Sequence, residues 1–148
     1  MTTDARPSLT GIDHFSATVT DVEASAAWYQ RVFGMIRVPV TFPHYDREDT
    51  GYAVLLMDPR SGVAIGLHVN GANAGETFDE CRTGLDHVSF GVAARDDLGA
   101  WAARLDELGI EHTGVRDVKD PAPFSTAVFR DPDNIQLELI WTPPESAA

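Results

Sequence analysis

Two histidines and one glutamate carry most of the chemistry this chain can do. His14 and His87 occupy matching places in two similar segments, GIDHFSATV (Gly11 to Val19) and GLDHVSFGV (Gly84 to Val92). The segments share a Gly-aliphatic-Asp-His start, a Ser two places after the His and a closing Val. Glu138 stands in the middle of the apolar stretch IQLELIW, where an unpartnered carboxylate would be costly to bury. A divalent cation shared with His14 and His87 would supply its partner. Two imidazoles and one carboxylate leave coordination positions open for water or substrate, and suit Fe, Mn, Zn, Ni or Co. An ion held this way keeps net positive charge, so it polarises a substrate oxygen and stabilises an adjacent enolate or oxyanion. Cys81 is the only cysteine, which excludes an internal disulfide and thiolate clusters alike.

The elements that must position these residues follow from periodicity. In a strand, side chains alternate between faces, so His14 shares a face with Ile12, Ser16 and Thr18 while Phe15, Ala17 and Val19 face a helix. By the same count His87 lies with Leu85, Ser89 and Gly91, opposite Val88, Phe90 and Val92. In the closing stretch, Glu138 lies with Gln136 and Ile140, opposite Ile135, Leu137 and Leu139.

Each copy of the repeat leads into a helical pattern. Val22, Ala26, Tyr29 and Phe33 form one stripe, with Thr20-Asp21-Val22-Glu23 shaped as a capping box. Leu98, Trp101, Ala102, Leu105 and Leu108 form the other. Gly34 and Gly109 terminate the two helices as left-handed caps. Three strands follow each helix, roughly 35–40, 52–57 and 63–69, then 111–118, 125–129 and 135–141. The last strand of each half is preceded by an Asp-Pro turn, at Asp58-Pro59 and Asp131-Pro132. The whole predicts an α+β single domain of two tandem β-α-β-β-β units, about 11–70 and 84–141, joined by a polar linker at 71–83.

The repeated unit, the Asp-His start of each copy and the ending DPDNIQLEL resemble the vicinal oxygen chelate superfamily, which includes glyoxalase I, extradiol dioxygenases, methylmalonyl-CoA epimerase, fosfomycin-resistance transferases and bleomycin-binding proteins. The resemblance runs from Gly11 to Trp141. It implies curved sheets around a metal cleft, with ligands from the first and last strand of each unit, and His14, His87 and Glu138 match three of those four positions. At the fourth, VAIGLHVN offers Gly66 or His68. With Gly66 as the equivalent of Glu138 the site is a facial triad, as in the dioxygenase and fosfomycin branches. With His68 reaching the ion it has four protein ligands, as in glyoxalase I and the epimerase. The triad is the reading adopted, with His68 as a nearby acid/base group.

Other conspicuous residues attract plainer readings. His44 and His112 have no partner in the pattern and are assigned to the surface. Trp28 and Trp101 are packing residues, Trp141 anchors the last strand, and Arg130 forms a surface ion pair with Asp131 or reaches an anionic substrate. The loop 41–50 suits a pocket rim or an ordinary hairpin.

With 23 acidic against 11 basic side chains the formal charge is −12, which repels nucleic acid. No apolar run approaches a bilayer span and the first residues do not read as a secretory signal, so the expectation is a cytoplasmic protein without membrane association. The functional expectation is a metal-dependent lyase, isomerase or dioxygenase, acting as a homodimer on a small molecule with vicinal oxygens. Its metal ligands are His14, His87 and Glu138, and His68 is its general base. The alternative is a metal-free drug-binding protein of the bleomycin-resistance kind, using the acidic charge and a groove of Phe42, Tyr45 and Trp141.

Overall fold

The computed structural model describes residues 7–144. Its first unit runs β1 (His14–Thr18), α1 (Val22–Phe33), β2 (Ile36–Pro43), a 3-10 turn (Glu48–Thr50), β3 (Gly51–Met57) and β4 (Ala64–Asn70). The second runs β5 (Val88–Gly91), α2 (Arg95–Glu107), β6 (Arg116–Val118), β7 (Phe124–Arg130) and β8 (Gln136–Trp141). Each unit makes a four-stranded mixed sheet, ordered β1-β4-β3-β2 and β5-β8-β7-β6. The first strand of each unit runs parallel to its last. The segments carrying the repeat therefore lie at sheet edges, each beside the closing strand of its own unit.

Local chemistry explains the element ends. The Asp21 carboxylate accepts the N–H groups of Glu23 and Ala24 at 3.1 and 3.0 Å, capping α1. The cap thus falls one residue later than the capping-box pattern places it, because the Thr20 hydroxyl is occupied elsewhere, donating to Asp133. Gly34 closes the helix in the left-handed region, φ 71°, as expected. In α2 the Asp97 carboxylate accepts the Ala94 N–H. The strand predicted from 111 is shorter than expected. Residues ahead of Arg116 make a single bridge, His112 to Phe129, before Gly114 turns the chain.

One hydrophobic core serves both units. Val54, Leu56, Ile65 and Leu67 from one face of the first sheet, and Phe129, Leu137 and Leu139 from one face of the second, enclose Tyr29 and Val32 of α1 with Leu98 and Leu105 of α2. Helix α1 touches both sheets: Trp28 and Phe33 lie 6.3 and 6.1 Å from Phe129, ring centre to ring centre, and Phe33 also meets Phe90 and Trp101. Trp28 and Trp101 are packing residues as expected. The helices therefore sit between the sheets, and the opposite sheet faces, bearing His14, Ser16 and Thr18 on one and Ser89 and Gly91 on the other, look outward.

Polar contacts fix this back-to-back arrangement. Asp133, almost wholly buried, accepts the Thr20 N–H at 3.1 Å, the Thr20 hydroxyl at 2.5 Å and the Ser25 hydroxyl at 3.4 Å. Asp131 beside it accepts the Tyr29 hydroxyl at 2.9 Å and the N–H groups of Asp133 and Ile135. Burial raises the Asp131 carboxyl above its ordinary range, against the pull of those donors, and burial likewise drives the Tyr29 phenol upward.

The linker docks on the same turn. The Phe78 N–H donates to the Asp133 carbonyl, and the Asn134 side chain donates to the Phe78 carbonyl. Arg130 pairs with Glu80 of the linker through two hydrogen bonds of 2.9 and 2.6 Å. Its partner is thus the linker, in place of the neighbouring Asp131 or a substrate. Among the described residues, no helix is long and apolar enough to cross a membrane.

Two outcomes follow for stability. Asp133→Ala leaves the Thr20 N–H and the hydroxyls of Thr20 and buried Ser25 without their acceptor, and should lower unfolding free energy by about 2 kcal/mol, seen as a lower denaturant midpoint at unchanged slope. The Arg130 guanidinium holds the Glu80 carboxyl at about 2. A depressed carboxyl contributes stability above its ordinary value, lost only as pH falls through the depressed one. Linker docking should therefore persist at pH 4 and fail towards about pH 2, read as the hydrogen-exchange protection of the Phe78 amide.

Candidate metal centre

The two repeat histidines are oriented by the residue before each of them. His14 Nδ1–H donates to Asp13 Oδ1 at 2.7 Å, and His87 Nδ1–H to Asp86 Oδ1 at 2.6 Å. A carboxylate on Nδ1 leaves the lone pair on Nε2 and fixes the ring, which is how histidine ligands are commonly held. The Asp-His pair thus repeats in its geometry as well as in its sequence. Both rings remain partly exposed on the outward faces.

Glu138 projects from β8 on the face opposite Leu137 and Leu139, as alternation requires. Its side chain is 15% exposed. The Ser89 hydroxyl donates to Oε1 at 2.6 Å and the Thr126 hydroxyl to Oε2 at 2.8 Å. The partner that burial demands is therefore supplied in part by two hydroxyls. His87 Nε2 stands 3.8 Å from Glu138 Oε1. Two donors on one ion at about 2.1 Å lie roughly 3.0 to 3.4 Å apart, so a shift of a few tenths of an ångström would let both reach one cation. The donor set fits a divalent metal.

Strand register separates Gly66 from His68. In the second sheet Ser89 pairs with Glu138; in the first, its repeat equivalent Ser16 pairs with Gly66. The glycine occupies the place of the carboxylate. A Cβ there would overlap Ser16 Oγ and stand 3.5 Å from His68 Nε2, so the missing side chain makes room for the Ser16 hydroxyl. His68 pairs with Thr18 instead. Burial lowers its pKa, with the nearby charges of His44 and His14 adding to the effect.

The chain brings together only part of the expected set. His87 and Glu138 share the outward face of the second sheet, while His14 and His68 share that of the first. Among the described residues, no three His, Cys, Asp or Glu side chains converge as a metal site within one chain. His14 and His87 do line a common groove of about 600 Å³ between the units. Its rim carries Ile12, Val63 and Leu85, exposed by 91%, 37% and 51%.

Two histidines assigned to the surface have partners after all. His112 hydrogen-bonds Asp106 and accepts the Gly114 N–H. His44 reaches from the end of β2 to His68, Nε2 to Nδ1 at 2.9 Å. Neither carries repeat symmetry, so a search for matching halves passes over them. The signal for His44 was its place in a loop rich in aromatic and charged residues.

A family model, the Glyoxalase/Bleomycin resistance protein/Dioxygenase superfamily, matches residues 11–139. Among solved structures, a glyoxylase/bleomycin resistance protein/dioxygenase domain from Frankia sp. EAN1pec is 32% identical, with a TM-score of 0.78 over 91% of this chain and 99% of that one. A glyoxalase family protein from Enterococcus faecalis is 21% identical, with a TM-score of 0.68 over 89% and 98%. The fosfomycin resistance protein FosX from Listeria monocytogenes, in a variant complexed with Mn(II) and 1S,2S-dihydroxypropylphosphonic acid, is 18% identical, with a TM-score of 0.63 over 93% and 96%. No curated protein sequence matches. Two tandem β-α-β-β-β units, the paired Asp-His edges and the family match agree, and the chain belongs to the glyoxalase/bleomycin resistance protein/dioxygenase superfamily.

Proposed function

We propose that this protein is a metal-dependent enzyme acting on a small molecule with adjacent oxygens, as a homodimer in which His14 of one copy joins His87 and Glu138 of the other. The observation that carries this reading is the pair of oriented imidazoles: each repeat histidine has its Nδ1 held by the preceding aspartate, which leaves Nε2 free to ligate. The 3.8 Å between His87 and Glu138 supports it. Glycine at the place equivalent to Glu138 favours three ligands over four.

Assembly in trans is supported by where the faces point. His14 and Glu138 lie on outward faces of different sheets, so a second copy is needed to bring a first-unit face opposite a second-unit face. The exposed Ile12, Val63 and Leu85 beside both histidines are the kind of apolar rim a partner covers. A fold relative, FosX, is described with Mn(II), which makes Mn(II) a sensible first probe.

A divalent ion in this triad would supply Lewis acidity, stabilising negative charge that develops on a substrate oxygen. The protein's own residues orient the ligands and hold the base. His68 lies on the same outward face as His14, in its neutral form at neutral pH because burial lowers its pKa. It is the group placed to take a proton from substrate.

The second reading, a metal-free small-molecule binder, draws on the two hydroxyls that already satisfy Glu138 without a cation. Its groove residues are less well placed: Phe42 belongs to the first sheet and Trp141 to the second, while Tyr45 is 75% exposed.

Metal binding separates the two. Protein purified without added metal and titrated with Mn(II) should bind one ion per chain, and Glu138→Ala should abolish this; stoichiometric metal absent from the wild type would leave the binder. Asp13→Ala and Asp86→Ala should each weaken Mn(II) binding by about 10- to 100-fold through loss of ring orientation. Mixing His14→Ala with Glu138→Ala chains should restore a single intact site per mixed dimer. Equilibrium dialysis of the mixture reads this directly, and no recovery would mean the sites are not shared between chains.

A further inference from the structure

His44 and His68 form a chain of hydrogen bonds that ends at an uncommitted nitrogen. The Thr50 hydroxyl donates to the Arg47 carbonyl at 2.7 Å, which uses its only proton. Its oxygen must therefore accept from His44 Nδ1, 2.8 Å away. In neutral His44 the lone pair then lies on Nε2, and the 2.9 Å contact to His68 is a bond donated by His68 Nδ1–H. The two ring planes are inclined by only 25°, with ring centres 5.0 Å apart. His68 is left with its lone pair on Nε2, which lies close to Gly66 on the outward face of the sheet. The His44 ring packs over Gly51, where even a Cβ would come within 3.2 Å of it, which limits flipping of the ring.

We propose that His44 is a positioning residue that fixes His68 in the Nδ1–H tautomer, so that Nε2 is the proton-accepting atom presented to substrate. The role rests on the metal-dependent reading above for its chemistry, though the tautomer itself does not. In the step it serves, a substrate proton moves to His68 Nε2, the ring becomes an imidazolium, and the electron pair stays on the substrate. His44 then stabilises the new charge through the bond it already accepts, and Thr50 keeps His44 facing the right way round. Without this chain, His68 would be free to present Nε2–H, which can donate but cannot accept.

The tautomer is measurable in metal-free protein by ¹⁵N chemical shifts of labelled histidine at a pH where both rings are neutral. In the wild type the His68 signals should show a protonated Nδ1 and a bare Nε2. In His44→Ala the bare nitrogen should shift towards Nδ1, and His44→Gln, whose carbonyl can accept the same bond, should restore the wild-type pattern. Thr50→Val should invert the pair. A wild-type His68 protonated on Nε2, or a pattern indifferent to His44→Ala, would overturn the proposal.

Mn(II) titration of the same variants keeps the two readings apart. If His68 were a ligand, His44 would be its outer support, and removing it would cost about 10- to 100-fold in affinity; as the partner of a base it should leave affinity within about twofold. Loss on the larger scale would overturn the positioning role while sparing the metal reading. Absence of Mn(II) binding in the wild type, with the tautomer as predicted, would sink the metal reading and leave His44 as the residue that sets His68.

Discussion

Two buried carboxylates on one turn hold this molecule in its shape. Asp131 opens the second Asp-Pro step and Asp133 follows it, and both plug into the start and middle of α1, where they meet Thr20, Ser25 and Tyr29. Buried anions are tolerated only when hydrogen-bonded, so the position of α1 on the second sheet is specified closely. The aromatic cluster of Trp28, Phe33, Phe90 and Phe129 then fills the space the turn defines. The first unit differs: Asp58 is only half-buried and accepts hydrogen bonds from its own loop, from Arg60 and Ser61. The duplicated units are thus alike in fold and unlike in how they dock.

That docking decides what the site can be. Packing the two units helix side to helix side sends the histidine and carboxylate faces outward, with His14 and His87 meeting at the groove between the units. Each face nevertheless arrives prepared. Ser89 and Thr126 hold Glu138 in place, the aspartates turn the imidazoles, and His44 sets the nitrogen of His68. The orientation of each of these side chains is settled inside its own unit.

Much of this was legible in the sequence, for reasons that differ from residue to residue. The repeat exposed the two units, and strand alternation put His14 and Glu138 on the faces they occupy. The Asp before each histidine was visible as pattern, but its role as a hydrogen-bond acceptor emerged only with geometry. The choice between Gly66 and His68 turned on a register that two closely spaced residues could not resolve; the pairing of Ser16 resolved it. Asp133 was not singled out in the sequence because its partner Thr20 is 113 positions away, and no local rule reaches so far. His44 read as surface because its conformation depends on the 3-10 turn and on the missing side chain at Gly51. Arg130 was assigned to its neighbour, whereas the linker folds back to claim it.

The distance between Asp133 and Thr20 also bears on how the chain comes to be folded. During synthesis from the N-terminus, α1 and its sheet are complete long before the turn that receives Tyr29, 102 positions later, has been made. The apolar face of α1 that belongs on Phe129 must wait, uncovered, while the second half emerges. A first unit released at that stage would be a sticky intermediate rather than a finished half.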